Sequence, residues 1–267
     1  MPHGTAQLQP QGFNFGTSTS FLSLSGLRIG PAAIFATVGL VLPVFFATGF
    51  AHRFITIHLG TQRNMAMPWL ALYIDHAAMF AVSFVLVAWL SKGRPSTYGV
   101  QPPKGKSYVL PAIAWGAFFG ILMTVVDYLP SILAHKPPEH LSLTAGSVAG
   151  WLGFQFVWVG FGEELAFRGL LQTFLMLHSS GRVRLGKFEM HVAGVILALL
   201  FAVAHISNFW QRPFWIALGQ QFYAFALGIL YAYWREKSAS LVAPIVGHNV
   251  SDGVEYSLMF LMKWVWQ

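Results

Sequence analysis

The chain contains 267 residues, of which 55% are hydrophobic and only 9% are charged. Ordinary soluble domains carry about 25% charged residues, so this composition excludes a soluble protein with a conventional charged surface. The formal net charge is +7, but the Lys and Arg residues are scattered between apolar runs. That distribution fits a bilayer topology better than nucleic-acid binding, and the absence of cysteine excludes disulfides and thiolate chemistry.

Residues 1–30 are predicted to form a disordered polar tail. Residues 1–27 are rich in Gly, Ser, Gln and Thr, and they lack the basic region followed by an apolar core that marks a signal peptide. The remaining residues, 31–267, are predicted to form a single transmembrane domain. Runs of about 20 apolar residues, each long enough to cross the hydrocarbon core of a bilayer, lie near 31–50, 69–90, 108–134, 143–177, 191–208, 214–234 and 240–262.

The fourth apolar segment leaves the number of spans open. Its length of about 35 residues corresponds to roughly 50 Å of helix at 1.5 Å per residue, which exceeds one bilayer crossing. The segment either protrudes or tilts as one span, or it breaks near Gly160 and Gly162 into two. The predicted fold class is therefore all-α, a polytopic transmembrane helix bundle of seven or eight spans.

Basic residues in the loops predict the orientation of the bundle. If the fourth segment is one span, ten basic residues lie on the side of the N-terminus and five on the other side, which favours a cytoplasmic N-terminus. A broken fourth segment would exchange the sides of the later loops. The larger group contains Arg28, Lys92, Arg94, Lys104, Lys106, Arg182, Arg184, Lys187, Arg235 and Lys237, and the smaller group contains Arg53, Arg63, Lys136, Arg212 and Lys263.

Acidic residues are concentrated in the apolar segments. An acidic residue at the bilayer centre costs roughly 2.5–3.5 kcal/mol on insertion scales, so such residues usually serve a function. Arg168 is the only predicted intramembrane base that is always charged, so some carboxylates must be neutral or bonded to histidine, hydroxyl groups or water. Six of the nine acidic residues lie in these segments: Asp75, Asp127, Glu163, Glu164, Asp252 and Glu255.

Two adjacent carboxylates, Glu163 and Glu164, precede Arg168 in the fourth segment. At 100° per residue, Glu164 and Arg168 lie about 40° apart on one helix face, in the favourable i,i+4 order. Glu163 lies about 140° from Arg168 and faces a different wall, where it can polarise a water molecule. The alternative is that both glutamates only pair with Arg168 or cap a broken helix.

Histidines in two later segments give Glu163 potential partners. His205 follows Phe201 by four residues and shares its helix face, although a lone histidine there is more often a satisfied core residue. His248 and Asp252 are also four residues apart, and such a pair can orient a water molecule or donate hydrogen bonds to a developing oxyanion. The combination in three separate segments predicts hydrolysis inside a membrane.

The remaining polar residues of the apolar segments are weaker candidates. Glu255 continues the stripe of His248 and Asp252, where it can tune a site or bond to a neighbouring helix. Asp75, His76 and Asp127 lie in the second and third segments. Interhelical hydrogen bonding explains these three at least as well as catalysis does.

The three motifs also carry a family resemblance. Glu163-Glu164-x-x-x-Arg168, Phe201-x-x-x-His205 and His248-x-x-x-Asp252 match, in order, the E-E-x-x-x-R, F-x-x-x-H and H-x-x-x-(N/D) motifs of the CPBP intramembrane protease family. That family includes the type II CAAX prenyl endopeptidases and bacteriocin-immunity relatives. The sequence resembles it over about 143–260, the motif-bearing core, whereas residues 1–140 contribute only compatible spans.

The resemblance implies an intramembrane peptidase with its active site in a cavity open to the membrane and the cytosol. By resemblance, Glu163 is the general base, and His205 holds the attacking water with it. His248 and Asp252 would stabilise the oxyanion, while Glu164 and Arg168 would form a structural pair. No cofactor is implied, and the expected partners are membrane lipids and a peptide or lipidated protein substrate, not nucleic acid.

Asp252 departs from the commoner asparagine of the third motif. An ionised aspartate is a poor oxyanion donor, so Asp252 is either protonated or orients His248 instead. Asn249 could supply an amide, but it lies about 100° around the helix from His248.

Two other interpretations remain open. Two histidines with Glu163 or Asp252 could supply three zinc ligands and leave a position for water, although no H-E-x-x-H motif is present. The chain could instead be a catalytically silent transporter or scaffold that uses its carboxylates as a proton or cation relay. Transporters often show repeated halves, and this sequence shows none. The expected location is a multi-pass protein of the bacterial inner membrane or the endoplasmic reticulum.

Overall fold

The computed structural model describes residues 22–58 and 67–267, and within these ranges the chain is mostly helical. Each of the seven predicted apolar segments contains a helix. In chain order these are α1 (Pro31–His58), α2 (Pro68–Leu90), α3 (Val109–Leu133), α4 (residues 145–178), α5 (Val192–Ala204), the short α6 (Asn208–Gln211) after α5, α7 (Phe214–Ser238) and α8 (Val242–Trp266).

Five stretches of the described helices are long and apolar enough to cross a membrane. They are Pro31–His58, Pro68–Leu90, Val109–Leu133, Val192–Gln211 and Phe214–Ser238. These helices fit a multi-pass membrane protein. The more polar α4 and α8 lie outside this set, so a total of seven or eight crossings stays a prediction.

Helix α4 is continuous, and the alternative of a break near Gly160 and Gly162 is not observed. It contains two wider π-helical stretches, so its successive parts are Ala145–Gly153, the π-helix Phe154–Trp158, Val159–Glu164, the π-helix Leu165–Gln172 and Thr173–His178. Both glycines lie in the α-helical turn between the π-helices. A π-helical turn rotates the residues that follow it and is frequent at functional sites. Glu163 and Glu164 end this central turn.

Helix α8 packs against α3 at very close range because α3 has glycine residues at the contact. A Cβ at Gly116 would stand 2.6 Å from the carbonyl oxygen of Gly247, and a Cβ at Gly120 would stand 2.5 Å from that of Ser251. Only glycine permits this approach, as in small-residue helix packing within membranes. The contact fixes the position of the α8 turn that carries His248 and Asp252.

A small antiparallel sheet corrects two predictions. Strands β1 (Leu22–Ile29), β2 (Ser179–Leu185) and β3 (Phe188–His191) lie in the order β1-β2-β3. The fold is therefore not purely α-helical, and the part of the predicted disordered tail from residue 22 onward pairs with β2. The segment Leu22-Ser23-Leu24-Ser25 alternates apolar and polar residues with the period of two that is typical of a strand. Its high serine content favours a disordered tail instead. Residues 1–21 of the predicted tail lie outside the described residues.

The principal hydrophobic core surrounds the C-terminal half of α4. Leu170 of α4, Val87 of α2 and Leu197 of α5 are fully buried there. Close packing of this kind leaves little freedom for neighbouring side chains. It holds the α4 turn with Glu163 and Glu164 at a fixed position relative to α2 and α5.

Candidate active site

A cavity of about 160 Å³ lies between α3, α4, α5, α7 and α8. That volume holds several water molecules. Its wall combines aromatic and apolar side chains with a set of acidic and imidazole groups. The polar and aromatic lining residues include Glu163, Phe201, His205, Gln220, Tyr223, Tyr231, His248, Ser251, Asp252, Glu255 and Tyr256.

The first and third motifs meet at this cavity. Nε2 of His248 lies 3.8 Å from Oε2 of Glu163, although the two residues are 85 positions apart in the sequence. The same Nε2 lies 3.4 Å from Oδ2 of Asp252, one helical turn later. Both carboxylates therefore face the same ring nitrogen of His248. The structure thus brings together three of the four residues predicted to be catalytic.

His205 reaches the cavity from the C-terminal end of α5. Its Nδ1 lies 2.8 Å from the backbone carbonyl oxygen of Phe201. A carbonyl oxygen only accepts hydrogen bonds, so Nδ1 carries a hydrogen and the neutral ring has its lone pair on Nε2. The Phe201 ring packs against the imidazole edge-to-face at 5.0 Å. His205 lines the cavity with Glu163, and no hydrogen bond joins the two side chains directly in the described part of the chain.

Glu164 and Arg168 form the ion pair that their spacing predicts. Both side chains are fully buried, and Nε and Nη1 of Arg168 each lie 3.3 Å from a carboxylate oxygen of Glu164. The guanidinium also stacks 4.3 Å from the centre of the Phe201 ring. Cation–π contacts gain strength where water is excluded.

Glu164 has a second partner that the sequence spacing does not indicate. Its Oε1 lies 2.8 Å from Nδ1 of His248. Nη1 of Arg168 donates to the same oxygen, which therefore acts as an acceptor, and Nδ1 of His248 donates this hydrogen bond. The Tyr231 ring stacks on the imidazole at 5.6 Å with an interplanar angle of 18°. His248 is therefore fixed on two sides, with Nε2 directed to Glu163 and Asp252.

His76 of α2 contacts Glu163, although it belongs to none of the three motifs. Its Nε2 lies 3.1 Å from Oε1 of Glu163. Its neighbour Asp75 turns away and bonds to Nδ1 of His52 at 3.0 Å. The only sequence signal was the presence of a histidine inside an apolar segment, because 87 residues separate the two partners.

Asn249 bonds to the backbone of α4, so the possibility that it supplies an amide to the cavity is not observed. Its Oδ1 accepts from the backbone N–H of Gly160 at 2.8 Å, and its Nδ2 donates to the carbonyl oxygen of Val157 at 3.0 Å. These backbone groups flank the end of the first π-helix of α4, where the regular hydrogen-bond pattern is interrupted. Asn249 therefore links α8 to α4 one turn before Glu163.

The weaker candidates Glu255 and Asp127 have different surroundings. Glu255 lines it together with Tyr256. Asp127 accepts from the Tyr223 hydroxyl at 2.9 Å, and Arg212 lies 3.8 Å from its other oxygen. Asp127 thus makes the interhelical hydrogen bonds expected of it.

No group of three or more His, Asp or Glu side chains within residues 22–58 and 67–267 has the arrangement of a metal centre. The zinc interpretation therefore gains no support from the described side chains. Its test is a metal analysis of the active protein.

The comparisons with known proteins agree with the motifs. Residues 145–254 match the family model described as "Type II CAAX prenyl endopeptidase Rce1-like". The matched stretch extends from the start of α4 into α8 and contains all three motifs, whereas His76 lies outside it. The chain matches no curated protein and no solved structure. The family match confirms the resemblance drawn from the three motifs. Together with the apolar helices, it identifies residues 145–254 as similar to the type II CAAX prenyl endopeptidases, a family of membrane proteases.

Proposed function

We propose that the chain is an intramembrane endopeptidase that hydrolyses a peptide bond with a water molecule activated by Glu163. The convergence of Glu163, His248 and Asp252 at one cavity carries this proposal. The 3.8 Å between Oε2 of Glu163 and Nε2 of His248 exceeds a direct hydrogen bond and fits a water or carbonyl oxygen placed beside both atoms. The family match independently favours proteolysis in a membrane.

Glu163 acts as the general base. Its Oε2 takes a proton from the water while the water oxygen forms a bond to the carbonyl carbon of the substrate. The same carboxyl group then returns the proton to the leaving amine as the C–N bond breaks. The neutral His205, with its lone pair on Nε2, accepts the other hydrogen of the water and orients it for attack.

His248 stabilises the oxyanion. Nδ1 donates to Glu164, so a second proton on Nε2 gives the ring a donor directed to the cavity. That proton has an acceptor in Oδ2 of Asp252 before the substrate arrives. Asp252 therefore serves to orient His248, and the proposal does not require a protonated aspartate at this position.

Glu164 and Arg168 position the other groups. Glu164 fixes the ring of His248, and Arg168 holds the charge of Glu164 in a fully buried site. An unpaired charge in this position would be strongly destabilising. The pair thus couples the helix that carries the base to the helix that carries the oxyanion donor.

The substrate class follows from the family. We assign a membrane-associated protein, with a prenylated C-terminal segment as the first member to test, because the matched family is that of CAAX prenyl endopeptidases. Neither a metal nor another cofactor takes part in the proposed reaction.

A comparison of native membranes tests the proposal even when the substrate is unidentified. Membranes that contain the wild type are compared with membranes that contain Glu163→Gln, and released peptides are identified by mass spectrometry. Glu139→Gln is the matched control, because Glu139 is an exposed loop residue. The proposal predicts a set of peptides released by the wild type and by Glu139→Gln, and absent with Glu163→Gln. Equal release by all three proteins would refute it.

A further inference from the structure

His76 reaches the candidate base from a helix outside the family match. Helix α2 places Nε2 of His76 at 3.1 Å from Oε1 of Glu163. The two side chains are only 12% and 17% exposed. The contact is therefore largely shielded from solvent. The hydrogen bonds of both side chains can be assigned from the residues around them.

The ring of His76 has a defined orientation. Its Nδ1 lies 2.9 Å from the carbonyl oxygen of Leu72. Since a carbonyl oxygen only accepts, Nδ1 carries a hydrogen, and Nε2 is the nitrogen that faces Glu163. A bare Nε2 opposite a bare carboxylate oxygen would place two lone pairs against each other. One proton must therefore lie between Nε2 and Oε1. The proposed reaction requires it on Nε2, because Glu163 can act as a base only as a carboxylate.

This shared proton makes the pair neutral as a whole. An imidazolium beside a carboxylate carries no net charge as a pair. Glu163 is thereby retained in an apolar environment without the cost of an isolated buried charge. The shared proton also distinguishes the two oxygens of Glu163, because Oε1 is occupied by His76 while Oε2 faces His248.

We propose that His76 is a positioning residue that holds a proton against Oε1 of Glu163 and so leaves Oε2 as the atom that takes the proton from water. This inference rests on the proposed function and adds a residue that the three motifs do not contain. In the reaction, the water O–H bond breaks, Oε2 gains the proton, and the proton between His76 and Oε1 stays in place. Oε2 then returns its proton to the leaving amine, so no proton is lost to the cavity.

The packing around His76 supports a specific role for this contact. A Cβ at Gly162, the residue before Glu163, would stand 3.0 Å from the backbone oxygen of His76 and 3.2 Å from its Cβ. Glycine at this position therefore allows α2 and α4 to approach closely. Nε1 of Trp158 donates to the carbonyl oxygen of Tyr73 at 3.1 Å and fixes the same two helices.

The edge of the His76 ring also packs on Phe154 at 4.9 Å, so its removal could affect folding as well as proton placement. We therefore choose His76→Phe, which keeps a ring against Phe154 but removes both nitrogens, and His76→Ala, which leaves space for a small molecule. Asp75→Asn is the matched control, because Asp75 is the adjacent residue of α2 and bonds to His52 instead of Glu163. Each variant is compared at equal amounts of folded protein.

The measurement is the rate at which native membranes release the peptides that depend on Glu163. We expect His76→Phe and His76→Ala to lower this rate by about 10- to 100-fold, the usual effect of losing a partner that orients a functional group. Asp75→Asn should stay within about two-fold of the wild type. Free imidazole should restore part of the rate to His76→Ala, and should restore none to His76→Phe or to Glu163→Gln.

The outcomes separate this inference from the proposed function. Suppose that Glu163→Gln is inactive but a folded His76→Phe releases peptides at the wild-type rate. The proposed role of His76 is then overturned, and the proposed function stands. A folded His76→Ala that imidazole does not rescue would also overturn it, since a purely structural loss is not repaired by a free ring. If Glu163→Gln itself releases the wild-type peptides, the proposed function fails and the His76 inference fails with it.

Discussion

Nδ1 of His248 lies 2.8 Å from Oε1 of Glu164, and this hydrogen bond joins the first and third motifs into one buried unit. Arg168 completes the unit by contacting both oxygens of the carboxylate. The second glutamate of the first motif therefore does more than neutralise an arginine on its own helix. It sets the direction in which the His248 ring faces Glu163.

The first prediction concerns the stability of this unit. Arg168→Met removes one partner of a fully buried ion pair and should lower the free energy of unfolding by about 3–5 kcal/mol. The double variant Glu164→Gln/Arg168→Met should lose less unfolding free energy than the sum of the losses in the two single variants, because it leaves no uncompensated charge. Denaturant unfolding of the four purified proteins in detergent measures this coupling. Strict additivity would contradict a coupled ion pair.

The second prediction concerns the link between α4 and α8. Asn249→Ala removes two hydrogen bonds to the backbone of α4, each worth about 0.5–1.5 kcal/mol, and leaves the N–H of Gly160 without its partner. We expect a loss of about 2 kcal/mol in unfolding free energy, together with lower peptidase activity per folded molecule, since Glu163 lies one turn further along α4.

Gly160→Ala should have a similar effect, because its Cβ would stand 2.6 Å from Oδ1 of Asn249. Gly146→Ala is the control on the same helix, where a Cβ meets nothing within 4 Å. Thermal unfolding followed by circular dichroism compares the two alanine variants. Equal stability of both would show that the Asn249 contact does not constrain α4.

The third prediction concerns Asp252. If this side chain orients His248 through the 3.4 Å contact with Nε2, an asparagine can still accept there through its amide oxygen. Asp252→Asn should therefore keep activity within about ten-fold of the wild type, while Asp252→Ala should lose about 10- to 100-fold in kcat. The steady-state kinetics of both variants show whether the amide oxygen can replace the carboxylate. A loss as large in Asp252→Asn as in Asp252→Ala would indicate that the carboxylate charge itself is required.

The fourth prediction concerns metals. The proposed reaction activates water through Glu163 and His205, so purified protein treated with a chelator should keep its activity. Elemental analysis of the same sample establishes whether metal was removed. Activity that disappears with the metal, and returns when zinc is added, would favour the zinc interpretation in place of a glutamate-activated water.

The sequence predicted those features that depend on short spacings. The i,i+4 rule identified the pairing of Glu164 with Arg168 and the shared face of His248 and Asp252, because a helix fixes the positions of residues one turn apart. Apolar runs likewise located the helices. No comparable rule applies to contacts between helices. The partners of His76 and His248 on α4 are 87 and 84 residues away, and the packing of α2, α4 and α8 selects them.

Two other features were missed for local reasons. The π-helices of α4 have no distinctive residue pattern, so the sequence could not show that Asn249 would be required at Gly160 and Val157. Strand β1 begins with leucine alternating with serine, the period of two that is typical of a strand, although its polar composition favours a tail. Its partner residues in β2 lie 150 to 163 residues later, too far away for a local sequence pattern to indicate the pairing.

The role of Glu163 as the general base is tested most sharply by the cleavage rate of purified Glu163→Gln in proteoliposomes, measured with a farnesylated peptide and compared with the wild type and Glu139→Gln. We expect a folded Glu163→Gln whose kcat falls by about 100- to 10,000-fold, the range expected for loss of a general base. Glu139→Gln should cleave at the wild-type rate. A folded Glu163→Gln that cleaves the peptide as fast as the wild type would contradict this role.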